Sequence, residues 1–313
     1  MAIIDWLIGP FALPFMQRPL IVILVLAVAL GLASVMVTLR SLQFVGDGLV
    51  HAVFPGIVIG FAVGGREGLV PGGLVAAAIA AIAFTLLTRR ALASDSAIAV
   101  VLTVMFGIGV IIVSRQSNYV GQLQELLFGR LLTVTDADVA LTVAVAAAAT
   151  VAIIAVWRTQ LFRAHDPMAA RAAGHRVLAT DLVLAVSVAV LIVAATAAVG
   201  NLLALGLLVV PGAAARLLTH RIGWMVAISI ATGALAGYGG LLIGFRASVD
   251  FGIPLAGGAS VITTLVLIYG IVLAASMLHR HGPRTGSRPD ARPTLARATA
   301  AAPARPPAPE AVR

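Results

Sequence analysis

Apolar residues recur in long blocks along this chain, at roughly 19–39, 43–63, 69–88, 96–113, 138–157, 180–199, 201–219, 222–243 and 258–278. As a helix, a block of about 20 such residues covers the roughly 30 Å of a bilayer's hydrocarbon core. Nothing else in the sequence restricts the fold as strongly. In lipid every backbone N–H and C=O must find a partner inside the spanning segment, so each block predicts a helix. The residue-by-residue alternation of an outer-membrane barrel is absent. The expected class is all-α: a polytopic integral membrane protein of eight or nine transmembrane helices. Composition agrees, since 61% of the 313 residues are hydrophobic and 11% are charged. A soluble domain carries closer to half apolar residues.

The organisation follows from the blocks. Residues 1–17, with Pro10 and Pro14, read as an N-terminal interfacial segment without the basic start and small-residue cleavage site of a removable signal peptide. Residues 18–278 form the membrane domain. Residues 279–313 are an Arg/Pro/Ala-rich tail expected to be disordered. All 21 basic residues are arginine. One set of loops holds Arg40, Arg89, Arg90, Arg158, Arg163, Arg171, Arg176, Arg216, Arg221 and Arg280. The alternate set holds Arg18, Arg66, Arg115, Arg130 and Arg246. The positive-inside rule makes the first set cytoplasmic and leaves the tail inside, in what reads as a bacterial inner membrane. Nine spans would put the N-terminus outside; eight would put it inside. Residues 114–137 are then an external loop with an apolar patch suggesting an interfacial helix.

Some chemistries are excluded. With no cysteine there is no disulfide, iron–sulfur cluster or thiolate zinc site. With no lysine there is no phosphate-binding Gly-x-x-x-x-Gly-Lys loop. The chain is not expected to act as an enzyme or to hold a permanently bound cofactor. The basic balance reads as membrane orientation and not as nucleic-acid binding.

Ionisable residues within a span default to function because they are costly there. Asp47 and His51 are four apart in the second block and so share one helix face. Counting about 1.5 Å per residue from Arg40 puts His51 near mid-membrane. One carboxylate and one imidazole make half of a site for a borderline divalent ion. The plainer alternative is that Asp47 caps a helix and His51 bonds to a neighbour. Pro55 and Gly56 follow at once and are expected to kink the helix and free carbonyls beside the pair. Pro211 and Gly212 predict a second break late in the chain, with helix packing as the competing reading. In the longest internal loop, His165 and Asp166 precede Pro167, and Arg171 and Gly174 follow. Asp166 as cap, Pro167 at the first helical position and Gly174 beyond the end predict a short cytoplasmic helix suited to docking a partner.

Taken in order, these motifs resemble the permeases of zinc, manganese and iron ATP-binding-cassette importers. Gly46-Asp47, His51-Ala52 and Pro55-Gly56 are similar to that family's second-span signature. Leu127-Phe128-Gly129, Leu131-Leu132 and Val134-Thr135 are similar to its external-loop signature, with Arg130 where an acidic or small residue is usual. Asp166-Pro167, Ala170 and Gly174 look like its coupling helix, and Val199-Gly200 through Pro211-Gly212 to Arg216 resembles its late-span signature. The resemblance implies a homodimer with ATPase subunits on the cytoplasmic side and a metal-binding protein outside. It makes Asp47 and His51 contacts of a transported zinc or manganese ion, and residues 165–175 the ATPase contact. The alternatives are a permease for an iron chelate or corrinoid, and a gradient-driven secondary transporter.

Overall fold

The computed structural model describes residues 6–89, 95–114, 129–253 and 255–280, and every apolar block within them is helical. The long helices are α1 (Pro14–Leu39), α2 (Gln43–Gly65), α3 (Glu67–Thr85) and α4 (Asp95–Ser114). They continue with α5 (Asp136–His165), the short α6 (Pro167–Ala172), α7 (Val177–Val199), α8 (Asn201–Leu218), α9 (Ile222–Phe251) and α10 (Gly257–Arg280). Eight of these are long and apolar enough to cross a membrane, and α4 is a further apolar helix of 20 residues. No strand occurs among the described residues. Of the expected external loop 114–137, residues 115–128, with Leu127 and Phe128, lie outside the described residues, as does the tail from residue 281, and α5 begins inside the loop at Asp136.

Helix α1 is the axis of the bundle. It packs against α5, α8 and α9, and its Ile23, Leu26, Leu30 and Met36 are fully buried. Helix α7 closes the other half against α2, α3 and α5, while α4 covers the outside of α2 and α3. Apolar burial adds little between helices in lipid, so close approach through small residues has to hold them together. The α2–α3 hairpin shows how. The hydrogen-bonded run Gln43–Arg89 turns back at Gly65, the residue with non-helical dihedrals (φ 59°). A side chain other than glycine is strained at that φ. The returning helix lays Gly68 and Gly72 on Gly60 and Gly56, where an added Cβ would collide with the facing backbone. This glycine ladder is readable as small residues four apart, but helical periodicity does not say which helix it faces.

Two expected breaks are absent. The backbone stays helical through Pro55 and Gly56, and the reversal comes ten residues later at Gly65. Pro55 still removes the N–H that would bond the His51 carbonyl. Helix α8 likewise continues through Pro211. There the Gly212 N–H donates to Ser34 Oγ at 2.8 Å, and the Ser34 hydroxyl reaches the Val209 carbonyl at 3.4 Å. A neighbouring side chain thus takes up the backbone groups the proline disturbs, and a Cβ on Gly212 would collide with Ser34.

Candidate metal pathway and its two ends

Asp47 and His51 lie one turn apart on α2, with His51 Nε2 3.5 Å from Asp47 Oδ1. His51 is 20% exposed and Asp47 34%, so the pair sits at the edge of the protein's interior. The imidazole stands edge-on to Phe106 of α4 at 5.3 Å, and Phe54 packs the same ring from the next turn of α2. This aromatic wall fixes the ring plane. His51 Nδ1 is buried without a hydrogen-bond partner, an unusual state for a buried polar atom. The two atoms are close enough for a contact between them or for both to reach one cation. Among the described residues no group of three or more His, Cys, Asp or Glu forms a complete cage. One chain offers this pair as two candidate donors.

The arginine-dense end of the bundle carries a second polar cluster that motif reading missed. Arg40, at the end of α1, donates to Gln160 Oε1 at 2.6 Å and to Asp181 Oδ1 at 3.0 Å. Gln160 of α5 is wholly buried and donates to the Thr180 carbonyl at 2.7 Å. Arg163 of α5 pairs with the same Asp181 carboxylate. Three helices are thereby tied at one level. Burial pushes the Arg40 guanidinium below its ordinary pKa, and Asp181 supplies the opposite charge. The sequence held a signal for this, since Asp181 stands alone at the start of an apolar block. Loop counting, however, treated Arg40 and Arg163 as orientation marks.

Beside this cluster, α6 has the expected construction. Asp166 Oδ1 accepts from the N–H groups of Met168 and Ala169, both at 2.9 Å, with Pro167 at the first position. Gly174 takes φ 76° beyond its end, and its N–H bonds to the Arg171 carbonyl. His165 bonds back to the Leu161 carbonyl, and His175 packs edge-on against Phe162, so neither faces the pair in α2.

At the opposite end, the loop before α5 is fastened to the bundle. Thr135 and Asp138 form a reciprocal cap on α5, Arg18 pairs with Asp136, and Arg130 lies 3.7 Å from Asp138. Gly129 (φ 74°) lies so close to the Val199–Gly200 backbone that a Cβ would collide with it. Arg130 is therefore engaged by Asp138 and by the loop's own packing.

Residues 12–276 match the ABC 3 transport family. Among curated proteins, the manganese import system permease protein ScaB of Streptococcus parasanguinis is 29% identical over 76% of this chain and 84% of its own length. The manganese transport system membrane protein MntC of Halalkalibacterium halodurans is 27% identical over 82% and 86%. Among solved structures, PsaBC from Streptococcus pneumoniae in complex with Fab superimposes with a TM-score of 0.72 at 26% identity, covering 87% of this chain and 95% of that one. With an all-helical multi-pass fold and a match across its whole membrane domain, the chain belongs to the ABC 3 transport family.

Proposed function

We propose that this chain is the permease of an ATP-driven importer that carries a divalent transition-metal ion, manganese in the first instance, into a bacterial cytoplasm. The observation that carries the reading is the Asp47–His51 pair: two hard-to-borderline donors, Asp47 Oδ1 and His51 Nε2, 3.5 Å apart on a span. Manganese accepts carboxylate and imidazole ligands and tolerates water in its remaining positions. A sparse site suits transport, because the ion must be selected and then released. Relatives named for manganese import favour that ion over zinc, and nothing on the chain favours a chelate.

A second copy of the chain, related by a two-fold axis, would bring another Asp47–His51 pair and raise the donor count to four. The Asp166-capped helix α6 is the contact for ATPase subunits, and the end carrying Gly129 and Arg130 receives an extracytoplasmic metal-binding protein. The arginine-dense end is cytoplasmic. That assignment puts the N-terminus outside, as nine spans require. ATP binding and hydrolysis in the partner subunits would then tilt the bundle between outward and inward openings.

The test is metal accumulation in cells that depend on this chain for growth under chelator. Asp47→Asn and His51→Ala should each lower manganese uptake by at least about tenfold, the scale on which metal-site substitutions act, with the protein still inserted. Unchanged uptake removes the pair from the pathway. Rescue by a ferric chelate or by zinc, but not by manganese, would replace the proposed cargo.

A further inference from the structure

One nitrogen of the His51 imidazole, Nε2, faces Asp47; the other, Nδ1, is buried and has no hydrogen-bond partner among the described residues. In protein metal sites the far nitrogen of a ligating imidazole is usually tied to a carboxylate, a backbone carbonyl or a water, and that bond sets the ring's orientation. His51 has no such tie to the described residues, so the side chains packed on its ring must orient it. The ring it meets is Phe106 of α4, with centroids 5.3 Å apart and planes at 89°, inside the roughly 4.5–7 Å range of favourable edge-to-face pairs. Phe106 is itself held. Phe54, fully buried and one turn along α2, lies 5.3 Å from it with planes at 33°. Gly109, three residues beyond Phe106 and so on the same face of α4, leaves room for the Phe54 ring, with which an added Cβ would collide. Val110 and Ile112 complete a small apolar cluster around Phe54 and Val58, separate from the main core. The extensive contacts of α4 are with the α2–α3 hairpin alone.

We infer that Phe106 is a positioning residue of the metal pathway, holding the His51 imidazole with Nε2 toward Asp47 through the contact between their rings. The inference rests on the import reading of the Asp47–His51 pair. The torsion that sets an imidazole's plane has broad preferences of its own. A ring free to turn would spend part of its time with Nε2 away from Asp47, and apparent affinity falls in proportion to the fraction in the competent orientation. A phenyl ring restrains that rotation without offering a strong hydrogen-bonding group to either nitrogen. The donor is aimed and its lone pair stays available. Helix α4 carries this restraint, and the fit of Gly109 on Phe54 sets the level at which Phe106 meets the imidazole.

The experiment titrates manganese into the full-length chain in nanodiscs, reads the free ion by electron paramagnetic resonance, and follows thermal unfolding of the same samples. His51→Ala marks the binding that belongs to this pair. Phe106→Leu and Phe106→Met keep apolar bulk but remove the ring, and each should weaken His51-dependent binding by about two- to tenfold, the scale of one aromatic pair. Phe106→Tyr keeps the ring and should restore binding to within about twofold of wild type. Val110→Ala loosens the same apolar cluster while leaving the ring in place. It should bind manganese like wild type even where its unfolding midpoint falls as far as that of Phe106→Leu. The inference is overturned by wild-type affinity in both ring-less variants, by equal weakening in Val110→Ala, by no rescue in Phe106→Tyr, or by no His51-dependent binding at all. Cellular uptake decides the import reading separately. If His51→Ala abolishes uptake while the ring-less variants bind like wild type, only the positioning role falls.

Discussion

Two polar clusters sit in this bundle in opposite states of completion. At the arginine-dense end, Arg40, Gln160, Arg163 and Asp181 exchange hydrogen bonds and charge among three helices, and Gln160 also satisfies the Thr180 carbonyl. Along α2, Asp47 Oδ1 and His51 Nε2 stand 3.5 Å apart and have no other polar side-chain partner among the described residues. Both occupy costly positions for polar groups. The first cluster answers that cost internally and so fixes helix positions. The second leaves donor capacity open, the condition for taking up something from outside the chain. Completion separates structural polarity from functional polarity here better than residue type does, since each cluster contains one aspartate.

Breaking the completed cluster should have the largest effect on stability. Asp181→Ala leaves two shielded guanidinium groups without their shared carboxylate, and removing one partner of a buried pair costs about 3–5 kcal/mol. Denaturant unfolding in detergent reads this directly, and a loss under 1 kcal/mol would make the cluster no more than a surface ion pair. Next comes Gly212→Ala, which drives a methyl group into Ser34 at the α1–α8 crossing and should cost about 1–3 kcal/mol as overpacking. Ser34→Ala, which deletes the hydroxyl but makes no clash, should cost less than Gly212→Ala by the same measurement. Asp166→Ala removes the cap of α6 and should cost about 1 kcal/mol, visible as faster hydrogen exchange over residues 167–172 with the spans unaffected. The smallest effect belongs to the open pair. Asp47→Asn should leave the unfolding midpoint within about 0.5 kcal/mol of wild type while transport falls. A stability loss as large as that of Asp181→Ala would place the pair with the structural cluster and erase the distinction.

Much of the fold was legible because the solvent is so exacting. Apolar blocks had to be helices, and the nine blocks match helices within a few residues at most ends. The Asp166–Pro167–Gly174 helix was equally legible, because caps and proline positions act within a single turn. The proline–glycine pairs misled for a physical reason. A proline inside a span can be accommodated by a neighbouring helix, as Ser34 does by accepting the Gly212 N–H, and that residue is 178 positions away. Gly56 likewise served the α2–α3 contact and not a kink. The cluster at Asp181 stayed hidden because its members come from three helices and no local pattern links them.

The sequence by itself determined that the chain spans a membrane many times, which blocks do so, and that one carboxylate and one imidazole share a face of α2. Hydropathy and helical pitch are properties of neighbouring residues, so one dimension suffices to read them. Only the tertiary structure decided which polar groups are answered and which are open. It placed Asp181 between two arginines, Phe106 against His51, and Gly129 on the Val199–Gly200 turn. Satisfaction of a polar group depends on atoms within about 3 Å of it, and in a helical bundle those atoms come from distant parts of the chain.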